Sequence, residues 1–130
     1  MGVIGFGGYF FRSPDPEAAS AWYKEHLNVG GGCSADASGP IDEWTWAAVG
    51  GPTVFAPFAA DTDYFPADRQ AMLNFRVSEL DALLAKLRSA DIVVETRAEW
   101  DSPETGKFAR IHDLDGNPIE LWEPPAEPAT

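Results

Sequence analysis

ARIHDLDGNPIELWEP, residues 109–124, reads as two strands joined by a turn. Arg110-Ile111-His112 leads into Asp113–Asn117, and Ile119-Glu120-Leu121-Trp122 leads out again. Asp115-Gly116-Asn117 supplies turn chemistry, because glycine takes φ > 0 without strain and Pro118 fixes the torsion that starts the returning strand. The oddity is Glu120, a carboxylate between Ile119 and Leu121 in an otherwise apolar strand. It binds a metal, acts as a base, or pairs with an arginine. A five-residue turn puts Arg110 directly opposite Glu120, and a bidentate guanidinium is the natural partner of a half-buried carboxylate.

Outward from this hairpin, residues 71–77 read as a strand and Ile92–Arg97 as another, with a helix between them. Leu80, Leu83, Leu84 and Leu87, at i, i+3, i+4 and i+7, define its core-facing stripe. Ser78-Glu79-Leu80-Asp81 resembles a capping box, with Asp in place of the usual Glu. The first half of the chain has the same layout. FFRSPDPEAASAWYKEHLNV (10–29) overlies NFRVSELDALLAKLRSADIV (74–93) at an offset of 64 residues, half the chain. Strand, helix start and helix length coincide, which marks an internal repeat. Gly8–Arg12 is the opening strand of that half. Asp15 is its N-cap with Pro16 at the first helical position, and Ala19, Trp22, Tyr23 and Leu27 form the apolar face. After the weak segment GGGCSADASGP (30–40), strands 43–49 and 52–58 flank a Gly50-Gly51 hairpin.

The expected fold is therefore α+β: two βαβββ modules forming curved half-sheets around a central cleft, with helices outside. The 130 residues make a single domain, with module one over 1–58, an acidic linker over 59–70, module two over 71–124 and a tail over 125–130. A formal net charge of −12 disfavours nucleic acid and anionic membranes as partners. No apolar run of about 18 residues exists to span a bilayer. The N-terminus has no basic n-region, and Phe6 occupies the position where a myristoylation motif needs Ser or Thr. The single Cys33 excludes an internal disulfide and any multi-cysteine metal site. The expected location is cytoplasmic.

In this layout the motifs DPEAASAWYKEHLNV, LNFRVSELDALLAKLRSADI and FARIHDLDGNPIELWEP resemble the vicinal oxygen chelate superfamily of glyoxalases, bleomycin-resistance proteins and extradiol dioxygenases. The resemblance covers nearly the whole chain. It implies metal ligands at four cavity-facing positions, two per module. Carried over one at a time, these fall on Gly8, Thr53, Met72 and Glu120. Glycine has no side chain, and a thioether is a poor ligand for hard or borderline divalent ions. One carboxylate cannot replace the three or so protein ligands a catalytic divalent ion needs. His26, late on the outer helix, is read as solvated, and His112 as capping the turn. The expectation is no metal and no cofactor.

Glu120 then has two readings: a structural ion pair with Arg110 at the vacated metal position, or a ligand contact or general base whose pKa Arg110 sets. Strand alternation from the four carried-over positions gives their face the companions Phe10, Arg12, Phe55, Asn74, Arg76 and Trp122, with Arg110 there by its pairing with Glu120 and Trp44, Trp46 and Phe108 beside them. Pairing with Asp15, Glu17, Glu79 or Asp81 is the plain alternative for Arg12 and Arg76. For the tryptophans it is ordinary core. Trp22 is read as core, and Trp100 as part of a mobile acidic loop.

The expected function is binding of a small planar or anionic molecule in an aromatic, arginine-containing cleft, with Glu120 as the one candidate catalytic group. The first alternative is an antibiotic-sequestering protein like the bleomycin-resistance members, whose acidity this chain shares although three arginines oppose a cationic drug. The second is a metal-dependent lyase or extradiol dioxygenase, and the third a non-catalytic interaction module. Exposed sheet edges and the resemblance both imply a homodimer.

Overall fold

The computed structural model describes residues 2–30 and 45–126. The readings of 31–44, including Cys33, Trp44 and the start of strand 43–49, lie outside the described residues, as do residues 127–130. The chain divides into two compact units at Trp46–Ala47. It is a small α+β protein.

In the first unit, α1 runs over Pro16–Leu27. Asp15 caps it as the sequence implied: its Oδ1 accepts from the Ala18 amide at 3.2 Å, Pro16 sits where no N–H is needed, and Glu17 faces the positive end of the helix dipole. Asn28 closes the helix in the left-handed region, which asparagine tolerates. Ala19 and Tyr23 are buried, while Trp22 is half-buried and edge-on to Tyr23 at 5.2 Å. Among the described residues Gly8–Arg12 forms no ladder. Phe11 instead lies between the rings of Tyr9 and Tyr23, at 5.8 and 5.6 Å.

The second unit contains β1 (Leu73–Arg76), α2 (Leu80–Ser89), a 3-10 turn at Ala98–Trp100, β2 (Lys107–His112) and β3 (Pro118–Glu123). The three strands form one sheet in the order β1-β3-β2, with β3 parallel to β1 and antiparallel to β2. The parallel β1–β3 pair is separated in sequence by α2, and helix α2 packs on β3. Leu80, Leu84 and Leu87 meet the sheet's apolar face, where Ala109, Ile111, Ile119 and Leu121 have no exposed surface. Each buried branched side chain contributes roughly 1.5–3 kcal/mol relative to exposure.

Three further features depart from the sequence reading. The capping box does not form: Glu79 adopts a left-handed conformation and makes no side-chain cap. The Leu80 amide donates instead to Glu123 Oε1 at 2.7 Å, so a carboxylate at the end of β3 caps α2. Strand 92–97 is reduced to one antiparallel bridge between Glu95 and Arg110. The described part of strands 43–49 and 52–58 forms no ladder, and the Gly50-Gly51 hairpin is absent. Two carbonyls of that segment, of Val49 and Pro52, accept from the Arg76 guanidinium instead.

The β2–β3 turn is built by Asp113. Its Oδ1 accepts from the Asp115 and Asn117 amides, its Oδ2 from the Asn117 side chain, all at 2.9 Å, and Gly116 takes φ +84°. Arg69 donates to the Asp115 carbonyl at 2.9 Å from the chain before β1. Asp113 thus does the work assigned to His112, which is exposed.

Candidate functional site on the polar face of the sheet

The turn sets the register, and the register sets the site. With Asp113–Asn117 as the loop, Arg110 is paired with Glu120 and Phe108 with Trp122. On the other side of β3, Asn74 is paired with Glu120 and Arg76 with Trp122. Because side chains alternate along a strand, these six residues share the face opposite α2. The Phe108 and Trp122 rings lie nearly parallel, 6° apart in plane and 6.1 Å between centroids. The Trp122 indole N–H donates to the Thr105 carbonyl at 2.7 Å, which fixes the ring.

Glu120 and Arg110 are both buried, 8 % and 5 % exposed, yet among the described residues no ion pair within 4 Å joins them. The direct pair is the expectation the structure corrects, and Tyr64 is the reason. The Tyr64 hydroxyl donates to Glu120 Oε2, while Asn74 Nδ2 donates to Oε1 at 2.7 Å. Arg110 Nη2 donates to the Tyr64 carbonyl at 2.9 Å, and the guanidinium lies over the Tyr64 ring at 4.9 Å and the Trp100 ring at 5.7 Å. Cation–π contact and a neutral donor thus replace the bidentate bridge. Burial, then the hydrogen bond to Glu120 and its negative charge, push the Tyr64 phenol up from 10.0 to about 12, with Arg110 pulling the other way. At neutral pH the phenol is therefore a donor.

Arg76 also departs from its plain alternative. It pairs with neither Glu79 nor Asp81 but holds the carbonyls of Pro52, at 2.6 Å, and Val49. Beside it Gly51 is closely approached: a Cβ there would lie 3.1 Å from the guanidinium carbon. Phe55 is 85 % exposed in the same unit. Thr53 is exposed with its hydroxyl on the Gly51 carbonyl at 3.4 Å, and Met72 is half-buried just before β1. In the first unit, Phe10 is 83 % exposed with its ring 3.4 Å from where a Gly8 Cβ would stand. Arg12 there is exposed and joins neither Asp15 nor Glu17 in an ion pair. Trp46 is 45 % exposed.

Sequence reasoning missed Tyr64 and Trp100. Trp100 lies in the 3-10 turn, 6.1 Å edge-on to Tyr64 and beneath Arg97 at 5.4 Å, so it walls this cluster. A signal for Tyr64 existed. Phe58, Tyr64 and Phe65 interrupt an acidic segment that a solvated linker would leave free of aromatics, and their rings contact one another at 5.4 and 5.6 Å through Phe58.

Among the described residues no helix is long and apolar enough to cross a membrane. No family model matches the chain, and no curated protein matches it. Among solved structures it is similar to a glyoxalase/bleomycin resistance protein from Streptomyces sp. CB03234, at 29 % identity over 48 % of this chain and 54 % of that one; the TM-score of 0.32 carries no weight. It is also similar to TnmS3, an antibiotic binding protein from the same Streptomyces sp. CB03234, at 23 % identity and TM-score 0.54 over 95 % of this chain and 98 % of that one. That second likeness extends over nearly the full length of both chains, and what it shows is the fold.

Proposed function

We propose that this chain is a small-molecule binding protein of the vicinal oxygen chelate type, which takes a planar or anionic ligand on the polar face of its sheet. The observation that carries the reading is the composition of that face. Phe108 and Trp122 offer stacked aromatic surface beside a buried arginine and a buried carboxylate, and apolar walls with a few convergent polar groups suit a ligand better than a protein partner. Phe55, Asn74 and Arg76 of the same unit complete the site in this proposal. The likeness to an antibiotic binding protein favours sequestration over catalysis as the use of such a face. Metal independence is part of the proposal. Both Glu120 oxygens already accept hydrogen bonds, and Gly8, Thr53 and Met72 stand at the other expected ligand positions.

The test is a thermal-shift screen of the purified full chain against planar aromatic acids, antibiotics and divalent metals, since a ligand of the native state raises stability by mass action. Planar aromatic compounds should raise Tm, and Phe108→Ala or Trp122→Ala should abolish the shift. A shift produced by metals alone, and lost in Glu120→Ala, would overturn the proposal in favour of the lyase or dioxygenase reading.

We further propose a homodimer. Val3, Ile4 and Phe10 in the first unit, and Val49, Val54 and Phe55 in the second, are each at least 69 % exposed, and apolar side chains left open in this way suit burial against a second copy. Light scattering should give twice the chain mass at micromolar concentration, and a monomer mass would contradict it.

A further inference from the structure

Tyr64 comes from the segment between the two expected modules, yet it engages three side chains of the polar cluster. Its hydroxyl is on Glu120, its ring lies under Arg110 and against Trp100, and its carbonyl is on Arg110 Nη2. Even so, Arg110 is incompletely satisfied: among the described residues its buried Nε–H has no hydrogen-bond partner. A buried donor with no acceptor costs free energy that a better acceptor recovers. The Tyr64 carbonyl offers one oxygen to a guanidinium that presents adjacent N–H groups, whereas a carboxylate offers two in the matching fork geometry.

We propose that the Arg110–Glu120 site recognises phenols carrying a carboxylate on a short side chain, and that Tyr64 is the built-in occupant such a ligand displaces. This rests on the reading of the polar face as a binding surface and names the ligand class it takes. Tyr64 without its amine is 3-(4-hydroxyphenyl)propanoate. Its phenol meets Glu120, its ring meets the guanidinium and the Trp100 indole, and its carboxylate supplies Nε and Nη2 together. Occupancy by Tyr64 lowers the apparent affinity by the fraction of molecules in which the site is open. Losing the Tyr64 hydroxyl weakens this occupant and leaves the rest of the site in place.

The experiment is titration calorimetry of the full chain with 3-(4-hydroxyphenyl)propanoate and its methyl ether, 3-(4-methoxyphenyl)propanoate. Wild type, Tyr64→Phe and Glu120→Gln are compared, each shown by thermal melting to be folded. Tyr64→Phe should bind the hydroxy probe about tenfold more tightly than wild type and prefer it to the methoxy probe by about tenfold, the range of one hydrogen bond to a charged group. Glu120→Gln should erase that preference; if this variant does not fold, the preference in Tyr64→Phe decides alone. Equal binding of the two probes by Tyr64→Phe overturns phenol recognition. An unchanged affinity between wild type and Tyr64→Phe overturns the displaced-occupant role. No binding of the hydroxy probe to Tyr64→Phe also overturns the proposal. The polar-face reading falls with it only if aromatic ligands from the screen survive Phe108→Ala and Trp122→Ala.

Discussion

The two faces of the β2–β3 hairpin are made by alternate residues of the same dozen, yet they are spent on different things. Ala109, Ile111, Ile119 and Leu121 have no exposed surface, and α2 packs on β3. Phe108, Arg110, Glu120 and Trp122, one position out of step, make an aromatic and charged face on the other side. Burying a charge is costly unless its hydrogen bonds are supplied. The polar face meets that cost with Tyr64, Asn74 and two aromatic rings rather than with a direct ion pair. The first face holds the fold, and the second is the face proposed to take a ligand.

The largest expected effect separates neighbours in sequence. Leu121→Ala should cost roughly 2–5 kcal/mol, the range for a large-to-small change in a packed core. Trp122→Ala should cost less than Leu121→Ala despite removing a bigger side chain, because Trp122 is only half-buried. Chemical denaturation of both variants checks the order, and a larger loss for Trp122→Ala would dissolve the distinction between the faces.

Next in size is a pair of double-mutant cycles within the polar face. Tyr64→Phe and Glu120→Gln should couple by roughly 1.5–3 kcal/mol, as expected for a hydrogen bond to a charged group. Arg110→Met and Glu120→Gln should couple more weakly, because Tyr64 stands between them. The reverse order would restore the direct ion pair.

The smallest effect is a pH dependence. The folded Tyr64 phenol titrates near 12 while an unfolded one titrates near 10. Above pH 10 the unfolded chain therefore loses its proton first, so this contribution is full below pH 10 and is lost as pH rises toward 12. Stability should fall less steeply across that window in Tyr64→Phe than in wild type. Equal slopes would mean that the phenol is not held in its protonated form.

Much of the second unit was legible because local signals agreed with one another. The DLDGN turn fixed the register that places Arg110 opposite Glu120, and the leucine stripe gave α2. What escaped was long-range. Tyr64 reaches Glu120 across 56 residues, and no periodicity reports such a contact. Glu123 capping α2 across 43 residues is similar, a side chain doing from another strand what the local Ser78–Asp81 pattern promised. Segment 45–58 failed in the opposite sense. Its alternation and paired glycines suit a hairpin, but alternation makes a strand only where a partner takes up the backbone groups, and two of its carbonyls go to Arg76.

The central claim is that the polar face receives the ligand. The direct measurement is an NMR titration of ¹⁵N-labelled full chain with the strongest aromatic compound from the thermal-shift screen, following side-chain N–H groups. The Arg110 Nε–H, the Asn74 side-chain amide and the Trp122 indole N–H should shift together along one saturable curve. If those three signals stay fixed while others titrate, the ligand binds elsewhere and the account of this face is wrong.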